Sequence, residues 1–257
     1  LPGCRRTGNE GRSYLKATYA APRLARGRAT NGKHAEGSEG GKMSTIRRTS
    51  TMALMPNHCP RLAAFRFGPV SSDAVRDYVA RVRKVLADEV TPRRSRISLT
   101  INRYGDFFGA HKYPVGGQFQ KFTASGQLPS ATAPALLLAL ELRTGVLMGI
   151  HRPQAGGAIT FDVATEGEIF LGIGGKDVQC SAHEPVVRDP KGIIASVFQG
   201  PDKRTIVDFD SSPENAELLL IVMGYPNMPD VDFEEALVDC RAFISEICSP
   251  LIEEWRA

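Results

Sequence analysis

The sequence predicts an α+β fold, in which six or seven antiparallel or mixed strands form a small sheet or barrel that packs against helices. Two observations lead to this prediction. Short apolar runs of strand length recur between residues 146 and 223, with glycine- and proline-bearing turns between them. A block that is apolar on nearly every side precedes these runs, and apolar residues at helical spacing follow them, which indicates a buried helix and a C-terminal amphipathic helix. With 257 residues, of which 42% are hydrophobic, the chain can bury one substantial core.

Charge is distributed unevenly along the chain. Residues 1–50 contain 11 Lys and Arg residues against 3 Asp and Glu residues, whereas the remaining residues contain 21 and 25. The formal net charge of +4 therefore comes from the first segment. Because the part that is expected to fold is acidic, the net charge of the whole chain does not indicate nucleic-acid binding.

Residues 1–50 are predicted to be a disordered basic segment, because they are rich in Gly, Arg, Ser and Ala and poor in large apolar residues. Met43 and Met52 are alternative translation starts, so we expect that the segment need not be translated; a transit peptide is the rival interpretation. The five cysteines form no C-x-x-C pair, and no apolar run reaches 18 residues. These features favour a reduced, cytoplasmic protein without a membrane span.

Residues 51–101 are predicted to be an N-terminal helical segment. The run Ser71-Ser72-Asp73 supplies a helix start, and apolar residues at 3–4 spacing follow it as far as Leu86. The pattern predicts a helix of about 17 residues that ends near Thr91-Pro92.

The remaining residues, 102–257, are predicted to form one domain. Residues 102–129 carry scattered glycines and aromatic residues without sustained periodicity and are predicted to be irregular. A buried helix is predicted from Thr132 to Gly145, because Pro134 suits a first helical turn and Gly145 suits a helix end.

After Gly145 the pattern changes to short apolar runs, which predict strands. The runs are Val146–Ile150, Ala158–Val163, Glu168–Ile173, Val186–Val187, Ile193–Phe198, Thr205–Phe209 and Leu218–Met223. Gly-Gly pairs at 156–157 and 174–175 predict tight hairpins. From Phe233 to Trp255 the spacing predicts a long helix, kinked or broken near Pro250. Its buried stripe is expected to contain Phe243, Ile247 and Leu251.

Several kinds of catalytic and metal site are excluded by motif. No phosphate-binding glycine loop and no G-x-S-x-G elbow occurs. Cys180-x-x-His183 and His58-Cys59 lack a matching second pair, so we expect neither a metal nor a cofactor. What remains is a set of charged loop residues that could orient a water molecule or bind an amino group. The set consists of Glu184, Asp189, Asp202 and Arg204, with His151 after the first of these strands; the alternative is that these charges are simply solvated.

Residues 103–226 resemble a known family. The segments that carry the resemblance are, in order, LRTGVLMGIH, GGAITFDVATEGEIFLGIGGKDVQC, EPVVRDPKGIIASVFQGPDKRTIV and ELLLIVMG. They resemble the editing domain, called B3/B4, of the bacterial phenylalanyl-tRNA synthetase beta subunit, and most of all the free-standing proteins that consist of little else. The specificity lies in the ordered series, above all in Gly167-Glu168 and the turn from Gln199 to Thr205.

The resemblance implies an α+β fold with a barrel-like β core and a pocket that, in the synthetase, receives tyrosine wrongly attached to the phenylalanine tRNA. It implies an aminoacyl-tRNA deacylase that acts in trans, whose partners are tRNA or aminoacyl-tRNA and an amino acid, and which binds neither DNA nor a membrane. The residues assigned to catalysis are Asp202, Arg204 and His151. The residues assigned to substrate binding are Gly149, Glu184, Ser196, Gln199, Gly200 and Thr205. The sequence departs from the family at Gly149, where the synthetase often has a His, and at Ala131-Thr132-Ala133-Pro134, which replaces an Asn-rich helix start.

Two other functions stay open. The chain could be a non-catalytic module that binds tRNA or an amino acid, or a small-molecule binding protein that shares only the fold. In each case strand ends and turns of one sheet should converge into a single polar-rimmed pocket. Its expected rim is His151, Glu184, Gln199, Asp202 and Arg204.

Overall fold

A computed structural model of the protein describes residues 46–49, 52, 60–109, 114–206, 209, 216–248 and 251–256. The chain divides into two compact units, Leu1–Gly41 and Lys42–Ala257, and every described residue belongs to the second unit. The predicted disordered segment therefore lies outside the described residues as far as position 45.

The described residues form both helices and strands, which confirms the α+β class. The helices are α1 (Ser72–Val90), α2 (Arg94–Phe108), α3 (Pro114–Ser125), α4 (Thr132–Thr144) and α5 (Asp230–Ile247), and a 3-10 turn, Thr91–Arg93, joins α1 to α2. The strands are β1 (Ile46–Arg48), β2 (Arg61–Phe67), β3 (Leu147–His151), β4 (Ile159–Val163), β5 (Ile169–Leu171), β6 (Asp177–Gln179), β7 (Pro185–Asp189), β8 (Gly192–Ser196), β9 (Gly200–Pro201), β10 (Leu218–Gly224) and β11 (Leu251–Arg256).

The strands form two larger sheets and one separate hairpin. The first sheet has the order β11-β2-β10-β3 and is antiparallel throughout. The second sheet has the order β1-β4-β7-β8-β9 and is antiparallel except for the parallel pair of β1 and β4. Strands β5 and β6 pair with each other, and Gly174-Gly175 lies in the turn that joins them, as predicted. Within the described part of the chain the sheets stay open, and they do not close into a barrel.

The core consists of two apolar layers on opposite faces of the first sheet. Along β10, Leu218, Leu220 and Val222 belong to a cluster shared with α1, α4 and α5, whereas Leu219, Ile221 and Met223 belong to a cluster shared with the second sheet. Because side chains alternate along a strand, the first sheet is packed between helices on one face and the second sheet on the other. His151 of β3 is on the same face as Leu147, so it faces the second sheet.

Two helices form where the sequence predicts them. Helix α1 spans Ser72–Val90, and α4 spans Thr132–Thr144 before Gly145, whose φ of 78° is the left-handed conformation that glycine adopts without strain. The apolar block of α4 is buried on nearly every side, and even Glu141 is only 8% exposed. Burial all round places α4 in the core, as predicted.

Most of the described residues between 102 and 129 are helical, so the prediction of an irregular segment is wrong for them. Helix α2 continues to Phe108, and α3 occupies Pro114–Ser125. Tyr104 of α2 donates a hydrogen bond to the Met223 carbonyl oxygen and accepts one from the Leu147 backbone N–H at 3.1 Å, which ties the helix to β10 and β3. These tertiary contacts outweigh the low helix propensity of the glycines, which is what made the segment look irregular in sequence.

The C-terminal helix is shorter than predicted. Phe243 and Ile247 are buried as expected, but α5 ends at Ile247, and Leu251 is 41% exposed. Residues Leu251–Arg256 instead form β11, which pairs with β2 and stacks the Trp255 ring on Phe161 at 4.7 Å. The unpaired edge of β2 offers backbone hydrogen bonds that a continued helix could not use; the predicted kink at Pro250 lies outside the described residues.

Three further differences concern strands. Gly156-Gly157 lies between β3 and β4, which belong to different sheets, so it does not form the predicted hairpin. In the run Thr205–Phe209, Thr205 forms only an isolated bridge to His151. Strand β2, in the segment predicted to be helical, has no counterpart in the prediction although it pairs on both sides.

The predicted disorder of residues 1–50 is wrong at its end. Ile46–Arg48 form β1, parallel to β4, and Ile46 is 1% exposed. Thr49 extends this pairing, since its hydroxyl group donates to Asp162 Oδ1 at 2.9 Å. The polar composition of the segment gave no sign of this short strand, whose stability comes from its pairing with β4.

Of the helices that the structure describes, none has the length and apolar character needed to cross a bilayer.

Candidate functional site

An arginine held between two aspartates connects β7, β8 and the loop after β9. Arg204 Nε donates to Asp202 Oδ2, and its Nη1 donates to Asp189 Oδ2 at 2.7 Å. Its Nη2 donates to the Ile193 carbonyl oxygen at 3.0 Å. Asp202 Oδ1 also accepts the Arg204 backbone N–H at 2.8 Å. Charge-assisted bonds from three nitrogen atoms hold the guanidinium group in one orientation.

The pKa values of the two aspartates in this cluster shift in opposite directions. Asp189, whose side chain is 0% exposed, also accepts the backbone N–H groups of Gln154 and Lys191, each at 2.8 Å. Burial acts to raise the pKa of Asp189, but Arg204 and the two N–H groups outweigh it and hold this pKa below its usual value. For Asp202 burial prevails over Arg204, and its pKa is raised. Asp202 is therefore the carboxyl group of the pair that takes up a proton more readily.

His151 lies behind this cluster at the end of β3. It is 2% exposed, and its Nδ1 lies 2.9 Å from Thr205 Oγ1 in a hydrogen bond. A Cβ atom on Gly149 would lie 2.7 Å from His151 Nε2, so the glycine provides the space that the imidazole occupies. Burial, and secondly the charge of Arg204, lowers the pKa of His151 to about 3. The ring is therefore neutral at physiological pH.

Glu184 and Ser196 form a separate buried network. Ser196 Oγ donates to Glu184 Oε1, and Glu184 Oε2 accepts the Ser181 backbone N–H at 2.9 Å. Ser196 Oγ in turn accepts the Gln199 N–H at 2.8 Å. Both residues are 2% exposed. The bond from Gln199 to Ser196 closes the turn after β8, and the bond from Ser181 to Glu184 closes the turn before β7.

A second arginine cluster lies on the neighbouring strands and was not assigned to the site from sequence. Arg188 Nε donates to Asp162 Oδ2 at 3.1 Å, and Nη2 donates to Glu168 Oε2 at 2.7 Å. The hydrogen bonds from Arg188 lower the pKa of Glu168 to about 2, so Glu168 is ionised at neutral pH. The pair Gly167-Glu168 was noted in sequence, but only the register of β4 and β7 brings Asp162 to Arg188.

A cavity of about 370 Å³ opens beside Asp202 and Arg204, between β5, β8 and the loop after β9. Its polar lining residues are Glu168, Lys191, Asp202, Lys203 and Arg204, and its apolar lining residues are Ile169, Phe170, Leu171 and Ile193. Acidic, basic and apolar groups therefore meet in one cavity, which is typical of a site for a small polar ligand.

The structure divides the site that the sequence predicts. Asp202 and Arg204 line the cavity, and His151 and Thr205 lie behind them without lining it. Gly200 belongs to β9, whereas Glu184, Ser196 and Gln199 form their own network. The single rim expected from His151, Glu184, Gln199, Asp202 and Arg204 is thus not found in the described part of the protein, because only Asp202 and Arg204 of these five line the cavity.

Another cavity, of about 550 Å³, lies elsewhere. It lies between α2 and the loop after β10, with Arg103, Asp106, Phe107, Tyr225 and Asn227 among its lining residues. Sequence patterns did not indicate it, since α2 was expected to be irregular at these positions. It lacks the buried, mutually oriented polar groups found around Arg204, so the smaller cavity is the better candidate.

Metal binding has no support within the described residues, where no group of three His, Cys, Asp or Glu side chains is placed to hold an ion. Cys180 is buried while His183 is exposed, and His58-Cys59 lies outside the described residues.

No protein-family model matches the sequence, and a search of curated proteins finds no match.

Proposed function

We propose that the protein binds the aminoacyl ester at the end of a charged tRNA in the cavity beside Asp202 and Arg204, and that it hydrolyses this ester in trans. The resemblance to the B3/B4 editing domain suggests the reaction. The observation that carries the proposal is the cavity itself. Its volume of about 370 Å³ suits a small ligand, and it combines a carboxylate that is ionised at neutral pH, two lysines and an apolar wall.

Each part of an aminoacyl ester has a counterpart in this lining. Glu168 offers a carboxylate to the α-ammonium group, and Phe170 and Ile193 offer an apolar surface to the amino-acid side chain. Lys191 and Lys203 offer positive charge to the tRNA phosphates. The reaction needs no protein nucleophile, since water can attack the ester carbonyl carbon, the bond to the ribose oxygen breaks, and the proton that the water loses passes to that oxygen.

Asp202 is the residue that orients this water in the proposal. Its carboxyl group lies in the cavity lining, and its pKa is raised by burial, which makes it a better proton acceptor than a solvated aspartate. Arg204 holds the carboxyl group in place, and Asp189 holds Arg204. His151 is a positioning residue in this scheme, because its Nδ1 is bonded to Thr205 directly after Arg204.

A barrel-like core and a cytoplasmic location belong to the same proposal. The Arg152 N–H donates to the Arg204 carbonyl oxygen at 3.2 Å, and the Ile206 N–H donates to the Ile150 carbonyl oxygen at 3.0 Å. Residues 204–206 thus continue the first sheet beyond β3, toward the second sheet, as the wall of a barrel would. The proposed location is the cytoplasm, since charged tRNAs are present there.

A non-catalytic module that binds tRNA or an amino acid is the second candidate. This function is favoured because the three residues assigned to catalysis already interact with other protein groups. Arg204 donates hydrogen bonds to Asp202, Asp189 and a carbonyl group, and His151 is buried and neutral. In that case the cavity would recognise the same ligand without activating water.

Deacylation of a panel of mischarged tRNAs tests the proposal. The wild-type protein should release the amino acid from at least one of them, and Asp202→Asn should lower the rate by about 10²-fold or more, the range of general-base effects. Lys203→Ala should weaken tRNA binding and its salt dependence. Lys121→Ala, an exposed lysine on α3, is the matched control and should change neither.

The outcomes separate the candidates. Salt-dependent tRNA binding that Lys203→Ala weakens, without release of any amino acid, would establish the binding module. If the protein neither binds tRNA nor releases an amino acid, both proposals are wrong. Full deacylase activity in Asp202→Asn would support the proposed reaction but show that Asp202 takes no part in it.

A further inference from the structure

A groove on the helical side of the protein lies between α1 and α5, remote from the loop that carries Arg204. Its volume is about 380 Å³, and its lining includes Tyr78, Val82 and Val85 of α1 with Asp239 and Phe243 of α5. Val85 is 44% exposed at this surface. The groove therefore combines apolar walls with two acidic side chains, Asp239 and Glu246, and two arginines, Arg81 and Arg143.

Asp239 is the unusual member of this lining. Its Oδ2 atom is buried and has no hydrogen-bond partner among the described residues. Asp239 also takes no part in the ion pairs that the neighbouring arginines form. A buried carboxylate oxygen without a donor lowers stability, so such atoms are rare in folded proteins. A donor from a bound molecule would remove this cost.

The arginines around the groove do not fill this role. Arg81 is paired with Glu246, and Arg143 Nε donates to Glu89 Oε2 at 2.7 Å. Arg93, whose charge also acts on Asp239, pairs with Glu235 at 3.1 Å. Each guanidinium group thus pairs with a carboxylate other than Asp239, and Arg93 shares Glu235 with Arg96. Asp239 belongs to none of these pairs, and although the charges of Arg143 and Arg93 act on it, its Oδ2 atom can still accept a hydrogen bond from a ligand.

The hydroxyl group of Tyr78 lies in the same groove as Asp239 and limits which ligands fit there. Tyr78 Oη accepts a hydrogen bond from Arg143 Nη1 at 3.0 Å, which leaves its other lone pair and its hydrogen for a ligand. Burial raises the pKa of Asp239 above its usual value, and the charges of Arg143 and Arg93 do not offset this effect. The apolar walls of Val82, Val85 and Phe243 suit a short hydrocarbon chain.

We propose that this groove binds a primary aliphatic amine, whose ammonium group donates to Asp239 and Tyr78 and whose hydrocarbon chain lies along Val82, Val85 and Phe243. The proposal is independent of the aminoacyl-ester site. It assigns to Asp239 a binding role that offsets its poor solvation in the free protein.

Titration with n-butylammonium chloride, followed by thermal unfolding and by amide chemical shifts, tests the proposal. The amine should raise the thermal midpoint and shift amide signals of residues 78–85 and 239–246. Sodium butyrate and 1-butanol, which keep the chain and change the charge, should do neither. Asp239→Asn should abolish both effects of the amine, whereas Asp88→Asn, which removes an exposed carboxylate from α1, should keep them.

Three results would overturn the proposal. One is the absence of any amine-induced shift at millimolar concentration in the wild-type protein. Another is an equal response to 1-butanol, which would mean that only the apolar walls attract the probe. The third is an unchanged response in Asp239→Asn, since it would show that the amine binds elsewhere.

Discussion

The buried carboxyl group of Glu141 should make the stability of the protein fall as the pH rises. Glu141 lies in α4, and its Oε1 accepts the Met148 backbone N–H at 3.0 Å. Burial is the larger influence and raises the pKa of Glu141 to about 8, whereas the Met148 N–H acts to lower it. The folded protein therefore keeps a proton that the unfolded chain, with a pKa of 4.5, releases.

The magnitude follows from the difference between the two pKa values. Each unit corresponds to about 1.4 kcal/mol, so a change from 4.5 to about 8 corresponds to about 5 kcal/mol. The sign follows from which state binds more protons. Because the folded pKa is the higher one, the contribution is fully present below pH 4.5 and is lost as the pH rises through about 8.

Urea unfolding at pH values from 5 to 8 measures this effect in the wild type and in Glu141→Gln. Glutamine keeps an oxygen atom for the Met148 N–H but cannot ionise. The free energy of unfolding of the wild type should fall relative to that of the variant by several kcal/mol across this range, about 1.4 kcal/mol per pH unit. Glu166→Gln, at an exposed position, should run parallel to the wild type. If Glu141→Gln also runs parallel, Glu141 is not protonated in the folded protein and the reasoning fails.

Three further predictions concern the core and the chain end. Phe243→Ala should lower the free energy of unfolding by about 3–5 kcal/mol, since the ring is 0% exposed and contacts Tyr78 edge-on at 5.1 Å; Val238→Ala, at a position 55% exposed, is the control, and a neutral Phe243→Ala would contradict the packing. Gly149→Ala should cost about 1–3 kcal/mol by displacing the His151 ring from Thr205, and unchanged His151 signals in the NMR spectrum would refute this steric argument. A chain that begins at Met52 should have a lower thermal midpoint than one that begins at Lys42, because it loses β1 and the buried Ile46; equal midpoints would show that β1 contributes nothing to stability.

The candidate site was predictable from sequence only where its contacts are local. Asp202 and Arg204 are two positions apart, and both were singled out as charged residues of one turn. The contact of His151 with Thr205 spans 54 positions and depends on where the chain returns to the edge of β3. The burial of Glu184 was not predictable, because its partner Ser196 sits across a hairpin and makes an otherwise costly burial possible.

The sequence by itself determined the α+β class, helices α1 and α4, most strands between 147 and 224, and the burial of Phe243. These features follow from the spacing of apolar residues, which acts over a few positions. Only the tertiary structure decided that Leu251–Arg256 is a strand, that α2 and α3 are helices, and that Gly156-Gly157 separates two sheets. The physical reason is that these elements gain their free energy from distant partners, as when β11 completes the edge of β2 or Tyr104 bonds to β3 and β10. Local propensity is too weak to oppose such contacts, and it does not reveal them.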